Sequence, residues 1–171
     1  GKSRKRPLAL LKALICLGGR QVSLCRVGEC LWPDSEGDLG ARNLAVTLHR
    51  LRQLLGMRDA ILQHDGKLTL NEKLCWVDAW QFERWTNEGL ELLDDSASRK
   101  SAETQLYGAF NLYSGQYLAR ESDEAWMLAP RLRLRFKFER LAIGLCGHLE
   151  GAERYRDAVD LCLQALERDP L

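Results

Sequence analysis

Leucines recur along residues 38–56 at the spacing that places them on one face of an α-helix. The repeating positions, separated by four, three and four residues, are Leu44, Leu48, Leu51 and Leu55. This spacing matches the period of 3.6 residues per helical turn. The opposite face, here called the outer face, carries Arg42, Val46, His49 and Gln53. We expect Asp38 to cap the start of this helix and Gly56 to take the left-handed conformation after its last turn.

Two shorter helices are predicted before this one. Residues 6–17 are apolar around much of the circumference, which is typical of a mostly buried helix, and Gly18 and Gly19 end it. Ser23 is a good N-cap for a second helix, and Val22 and Val27 are spaced to pack across that cap. This helix ends at 31–32, because Pro33 follows it.

After Gly56 the pattern changes from helical to alternating. Residues 60–64 and 67–70 are short β-prone runs, and the pair Asp65-Gly66 lies between them. An Asp-Gly pair in this position predicts a β-hairpin. Three helices followed by a hairpin is the order of a winged helix-turn-helix, in which the third helix enters the major groove of DNA and the hairpin approaches the backbone. We assign residues 1–77 to this domain.

Residues 78–171 are predicted to be all α-helical. We expect helices at 77–93, 99–113, 131–150 and 155–168, and a structured connector at 117–130. Ala158 and Ala165 lie seven residues apart on the last helix, as in a tetratricopeptide-type helical hairpin. The predicted fold class is therefore mainly α, with a winged helix-turn-helix followed by a tetratricopeptide-like helical domain.

Charge is divided between the two halves, although the whole chain carries only +1. Residues 1–75 hold 13 basic and 7 acidic residues, whereas residues 76–171 hold 12 and 17, so the halves carry +6 and −5. This asymmetry suggests that the first half meets a polyanion and the second meets proteins or solvent. The chain has no apolar run of about 18 residues and no convincing export signal, so we expect a cytoplasmic protein without membrane contact.

The residue types that carry metal or catalytic chemistry are scattered. Six cysteines occur without a CxxC spacing, and the three histidines lie far apart. We therefore expect reduced thiols, no metal site and no cofactor. Gly-rich phosphate loops, nucleophile elbows and paired-carboxylate motifs are missing from the sequence, so an enzymatic function is not expected.

Four segments resemble a known family of bacterial regulators. Residues 31–56, LWPDSEGDLGARNLAVTLHRLRQLLG, resemble the helix-turn-helix of OmpR-type winged-helix domains in the antibiotic-regulatory-protein family. VDAWQFERW, YSGQYLARESDEAWMLAPRLRLR and the final ALERDPL resemble the bacterial transcriptional activator domain that follows it there. Landmarks such as 31–32 (Leu-Trp) and 124–126 (Glu-Ala-Trp) agree in order and spacing. The resemblance implies a DNA-binding transcriptional activator with a helical interaction module.

The resemblance also implies which residues contact DNA. Positions that match the recognition helix place Thr47, His49 and Arg50 near bases or adjacent phosphates, and Arg52 near a phosphate. The remaining candidates, at the helix start and on the hairpin, are Arg42, Asn43 and Lys67. The implied partners are duplex DNA, RNA polymerase or other regulator domains, and a second copy on direct-repeat operators. The tryptophans, interpreted as core or junction anchors, are Trp32, Trp76, Trp80, Trp85 and Trp126.

One departure from the family pattern leaves alternatives open. OmpR-type domains open with a small antiparallel sheet, but here helical sequence begins within six residues of Gly1. We therefore expect a hairpin without that partner sheet, either because the winged domain is N-terminally truncated or because it is minimal. An end at Leu171, where a repeat array would continue, favours a fragment. The alternative function is an interaction or scaffold module of a larger signalling regulator, without DNA affinity of its own.

Overall fold

The fold is mainly helical with one small sheet. A computed structural model describes residues 2–35, 37–121 and 124–170, and gives the backbone alone for 2–4, 37 and 38. Within these residues the chain forms seven α-helices and a three-stranded antiparallel sheet. It divides into two compact units, Gly1–Trp76 with Asp123–Met127 and Val77–Ser122 with Leu128–Leu171.

The first unit contains three helices and the sheet. Its elements are α1 (Lys2–Cys16), β1 (Val22–Ser23), α2 (Leu24–Leu31), α3 (Gly37–Leu55), a 3₁₀ turn (Arg58–Ala60), β2 (Ile61–His64) and β3 (Lys67–Leu70). The three helices pack on one another, and α1 also packs on β3. The buried core includes Leu10, Leu14, Val27, Leu31, Leu44, Leu48, Leu51, Ile61 and Leu68. Burial of these apolar side chains is the main favourable contribution to the folding of this unit.

Helix α3 buries the leucine face that its sequence predicts. Leu44, Leu48 and Leu51 are buried, and Leu55 is half-buried near the helix end. Gly56 has a φ of 69°, and its N–H donates to the carbonyl of Gln53. The prediction of a left-handed residue after the last turn is thus confirmed. Helix α3 begins at Gly37, so Asp38 lies within its first turn and the prediction that Asp38 is the N-cap is wrong.

The hairpin pairs with a third strand, β1, which follows α1 and is therefore not the opening sheet of the family pattern. The strand order is β1-β3-β2, and both pairings are antiparallel. Asp65 and Gly66 both have positive φ, as a type I′ turn requires. The added strand consists of Val22 and Ser23, which pair with Leu68 and Lys67. Ser23 is the residue before α2 as predicted, but its side chain makes no capping hydrogen bond.

The second unit has an aromatic and aliphatic core between its helices. It contains α4 (Asp78–Leu92), α5 (Arg99–Leu112), α6 (Ala125–Gly151, in this unit from Leu128 onward) and α7 (Tyr155–Arg168). The Tyr113 ring stacks on Phe138 with centroids 4.0 Å apart, and the rings of Phe110 and Phe138 lie 5.4 Å apart. The surrounding buried side chains are Phe82, Leu106, Leu134, Leu141, Leu145, Leu149, Ala158 and Leu161.

Helix α6 begins six residues earlier than its sequence predicts. Part of the expected connector at 117–130 is helical, because α6 starts at Ala125 and contains Pro130. A proline ring removes one backbone N–H and clashes with the preceding turn, which is why the sequence suggested a break. Pro130 lies only six residues into a helix of 27 residues and is buried. One missing hydrogen bond does not end a helix of this length.

Contacts at its C-terminal end hold α7 on α5. The Arg168 guanidinium donates to the carbonyl oxygens of Phe110 and Tyr113, and lies 4.3 Å from the Phe110 ring centroid. The Tyr113 hydroxyl donates to Asp169 Oδ2 at 2.6 Å. Burial, together with this hydrogen bond, raises the pKa of Tyr113, so the phenol stays protonated. These polar contacts close the end of the helical bundle.

Not every tryptophan is an anchor. Trp76 is 68% exposed, so it is not a core residue. Trp32 is half-buried, and the guanidinium of Arg6 lies 5.9 Å from its ring centroid. Trp85 packs against Gly108, where an added Cβ would lie 3.0 Å from the indole.

Candidate nucleic-acid interface

The outer face of α3, with Arg50 on its flank, is exposed and carries three of the seven residues predicted to contact DNA. Arg42, His49 and Arg50 are exposed, and the apolar Val46 between them is 50% exposed. The α3 sequence contains three arginines and a single acidic residue, Asp38. Because the leucine face fixes α3 to the core, this basic face is presented on a rigid element.

Thr47, which the resemblance implies lies near bases or adjacent phosphates, is not on this exposed face. It is only 6% exposed, and its hydroxyl donates to the backbone carbonyl of Asn43 at 2.7 Å. Thr and Ser often make such a bond to the carbonyl four residues earlier in a helix. The helical period explains the burial of Thr47, since this residue lies beside the buried Leu44, Leu48 and Leu51. Asn43 is half-buried on the flank of the face.

The Arg52 side chain binds the backbone of β2. Its Nη2 and Nε donate to the carbonyl oxygen of Ile61 at 2.8 and 3.3 Å. The side chain therefore ties the last turn of α3 to β2, and its contact with a DNA phosphate stays a prediction. Sequence could not reveal this contact, because the acceptor is a backbone oxygen that the hairpin brings close.

A groove of about 570 Å³ runs between α2, α3 and the hairpin. His49 and Arg52 line it together with Gln63 of β2, so the structure brings these two predicted site residues together. On the α2 side, Cys25 lines it and donates its S–H to Glu29 at 3.3 Å. The hydrogen bond to Glu29 raises the pKa of Cys25, so this thiol stays protonated. The floor of the groove contains apolar side chains, among them Leu44 and Leu48.

The hairpin adds basic residues beside α3. Lys67 is exposed at the start of β3, directly opposite His64. His64 Nδ1 lies 2.9 Å from a carboxylate oxygen of Asp65 at the turn. Arg58, which was not among the predicted DNA contacts, is exposed and lines a second groove with Arg52 and the hairpin turn. Its position in the short turn after Gly56 was the only available clue.

These cations differ from those of the second unit in their partners. Among the described residues, no hydrogen bond or ion pair engages the side chains of Arg42, Arg50, Arg58 or Lys67. In the second unit, by contrast, several basic side chains are held by carboxylates. Examples are the ion pairs Arg133–Glu83 at 2.8 Å and Arg154–Glu103 at 2.6 Å. These four cations of the first unit are therefore available to an external anion.

Comparisons with known proteins do not assign a family, since no family model and no curated protein matches the chain. Within the described residues, no three or more His, Cys, Asp or Glu side chains are arranged to hold a metal ion. None of the helices in this part of the chain combines the length and apolar character that crossing a bilayer would require.

Proposed function

We propose that the first unit is a winged helix-turn-helix that binds duplex DNA with the outer face of α3 in the major groove. The chain then acts as a transcriptional regulator, an activator, whose second unit contacts other proteins. The observation that carries this proposal is the exposed, unpaired arginines on a helix whose opposite face is locked in the core. The order of three helices and a hairpin agrees with this architecture.

The chemistry of the outer face suits base and backbone contacts. Arg50 has the planar donor pair that matches the O6 and N7 acceptors of guanine, and the methyls of Val46 suit the thymine methyl. Arg42 and Lys67 are assigned to phosphates, which provide affinity and orientation without sequence selection. We assign His49, which lines the groove beside Gln63, to a base edge or a nearby phosphate.

The second unit offers a surface for protein partners. Residues 76–171 carry −5, and the outer sides of the last two helices expose several large apolar side chains. Ile143 is 73% exposed, and others in these two helices are Leu132, Phe136, Tyr155, Val159, Leu163 and Leu166. Exposed apolar patches of this kind mark interaction sites. The same observation favours a second candidate function, an interaction module whose helix-turn-helix has no DNA affinity.

A selection from a pool of random duplexes separates the two candidates. The DNA proposal expects a defined motif to be enriched, with binding that weakens as salt rises. Arg50→Ala is expected to relax the preference at one base pair, with a loss of about 1–3 kcal/mol of discrimination there. Arg156→Ala is the matched control, because it removes an exposed arginine from the second unit. Failure to enrich any motif, with no salt-sensitive binding, would favour the interaction module.

A further inference from the structure

Two cysteines of the second unit face each other across neighbouring helices. Cys146 on α6 and Cys162 on α7 have their Sγ atoms 3.0 Å apart, although 16 residues separate them in sequence. Both are free thiols in the structure, and Cys162 is exposed whereas Cys146 is half-buried. The exposed Cys25 of the first unit has a carboxylate partner, Glu29, and no such thiol contact.

The separation of the two sulfur atoms is close to that in a disulfide. A disulfide bond is about 2.05 Å long, so the two sulfur atoms need to approach by roughly 1 Å. The two helices are already joined by the short turn at 152–154, and Leu149, Ala158 and Leu161 belong to one buried core. Bond formation would therefore retain the packing of α6 against α7.

The difference in accessibility between the two thiols determines which of them reacts first. Cys162 is exposed, so a small reagent in solution reaches it directly. Burial, with a smaller contribution from the hydrogen bond to Cys162, raises the pKa of Cys146 to about 12. A thiol with this pKa is a poor first nucleophile, because the thiolate is the reactive form.

We propose that Cys146 and Cys162 are a redox modification site that forms a reversible disulfide with a low-molecular-weight disulfide as oxidant. The thiolate of Cys162 attacks one sulfur of glutathione disulfide and displaces one glutathione thiolate. Cys146 then loses its proton to solvent, attacks the Cys162 sulfur of the mixed disulfide and expels the second glutathione. Two protein thiols are oxidised, and one glutathione disulfide is reduced to two thiols.

The link would join the middle of α7 to α6. Arg168 and Asp169 already hold the far end of α7 against α5, so the disulfide adds a covalent restraint nearer the turn. Reduction by excess dithiol would release it. This site does not depend on DNA binding by the first unit.

To test this, the full chain is treated with glutathione disulfide and its remaining thiols are blocked. The chain is then digested with trypsin under non-reducing conditions. Cleavage at Arg154 and Arg156 separates the two cysteines, so a disulfide is read directly as a linked peptide pair. We expect the Cys146–Cys162 pair, with a mass lower by two hydrogens than the sum of the two free peptides. Adding dithiothreitol should restore both free peptides.

Two variants resolve the order of steps. Cys146→Ser should leave glutathione bound to Cys162, because the resolving thiol is missing, whereas Cys162→Ser should leave Cys146 unmodified. Cys25→Ser is the control and should link Cys146 to Cys162 as fully as the parent chain. A persistent glutathione adduct on Cys162 in the parent chain, or two unmodified thiols, would overturn the proposal. That result is read on the parent chain, so it does not depend on the folding of a variant.

Discussion

Replacement of Arg52 by alanine should loosen the hairpin while leaving the rest of the first unit folded. The change removes two hydrogen bonds from a guanidinium to the Ile61 carbonyl, at 2.8 and 3.3 Å. Hydrogen bonds from charged groups contribute roughly 1.5–3 kcal/mol, and the lower value applies to this half-buried side chain, so we expect a loss of about 1.5 kcal/mol. A local loss of this size corresponds to about tenfold faster amide exchange.

Hydrogen–deuterium exchange of peptides that cover β2 and β3 measures this effect directly. Arg50→Ala is the matched control, because Arg50 lies two positions earlier on the same helix and is exposed without an internal partner. Its effect on stability should stay within about 0.5 kcal/mol. Equal hairpin exchange in the parent chain and Arg52→Ala would refute a structural role for Arg52.

Three further changes test the packing and electrostatics of the second unit by urea unfolding. Gly147→Ala should raise the free energy of unfolding by about 0.5–1 kcal/mol, because the added Cβ meets nothing within 4 Å inside a helix. Gly89→Ala should lower it by about 1–3 kcal/mol, since its Cβ would lie 2.7 Å from a leucine side chain of α5. Although burial acts to raise the pKa of Glu103, hydrogen bonds from Arg154 and a histidine lower it overall. The carboxylate therefore contributes stability above its unfolded pKa of about 4.3 that is lost as pH falls through the folded value, and Glu103→Gln should flatten this acid decline.

For each of these three variants, a specific result would contradict the prediction. Destabilisation by Gly147→Ala, or equal midpoints for the two glycine variants, would contradict the packing described around α4 and α6. An unchanged acid decline in Glu103→Gln would show that Glu103 is not the group responsible. The pH series needs the urea midpoint of both chains at the same ionic strength, since salt screens exposed charges.

Elements with strong local patterns could be predicted from sequence. Helix α7 spans Tyr155–Arg168 as expected, because apolar residues at helical spacing follow a turn and Pro170 comes soon after its end. The Asp65-Gly66 pair likewise specified its turn, since both residues adopt the positive φ that a type I′ hairpin needs. In both cases the backbone conformation is determined by residues that are close together in the sequence.

Features created by distant contacts could not be predicted in this way. Strand β1 has only two residues, and it exists because Val22 and Ser23 meet β3 more than 40 positions along the chain. The roles of Thr47 and Arg52 depend on backbone carbonyls, which carry no sequence signal. The resemblance placed a recognition helix at α3 but could not separate its exposed arginines from the one that binds Ile61.

The central claim is that exposed cations of the first unit bind DNA phosphates, and the salt dependence of duplex affinity tests it most directly. Log affinity of the full chain for the selected duplex should fall linearly with log salt concentration. The double variant Arg42→Ala, Lys67→Ala should make that slope shallower by roughly two units, whereas Arg156→Ala should leave it unchanged. Affinity without salt dependence, or one slope shared by all three proteins, would contradict the account.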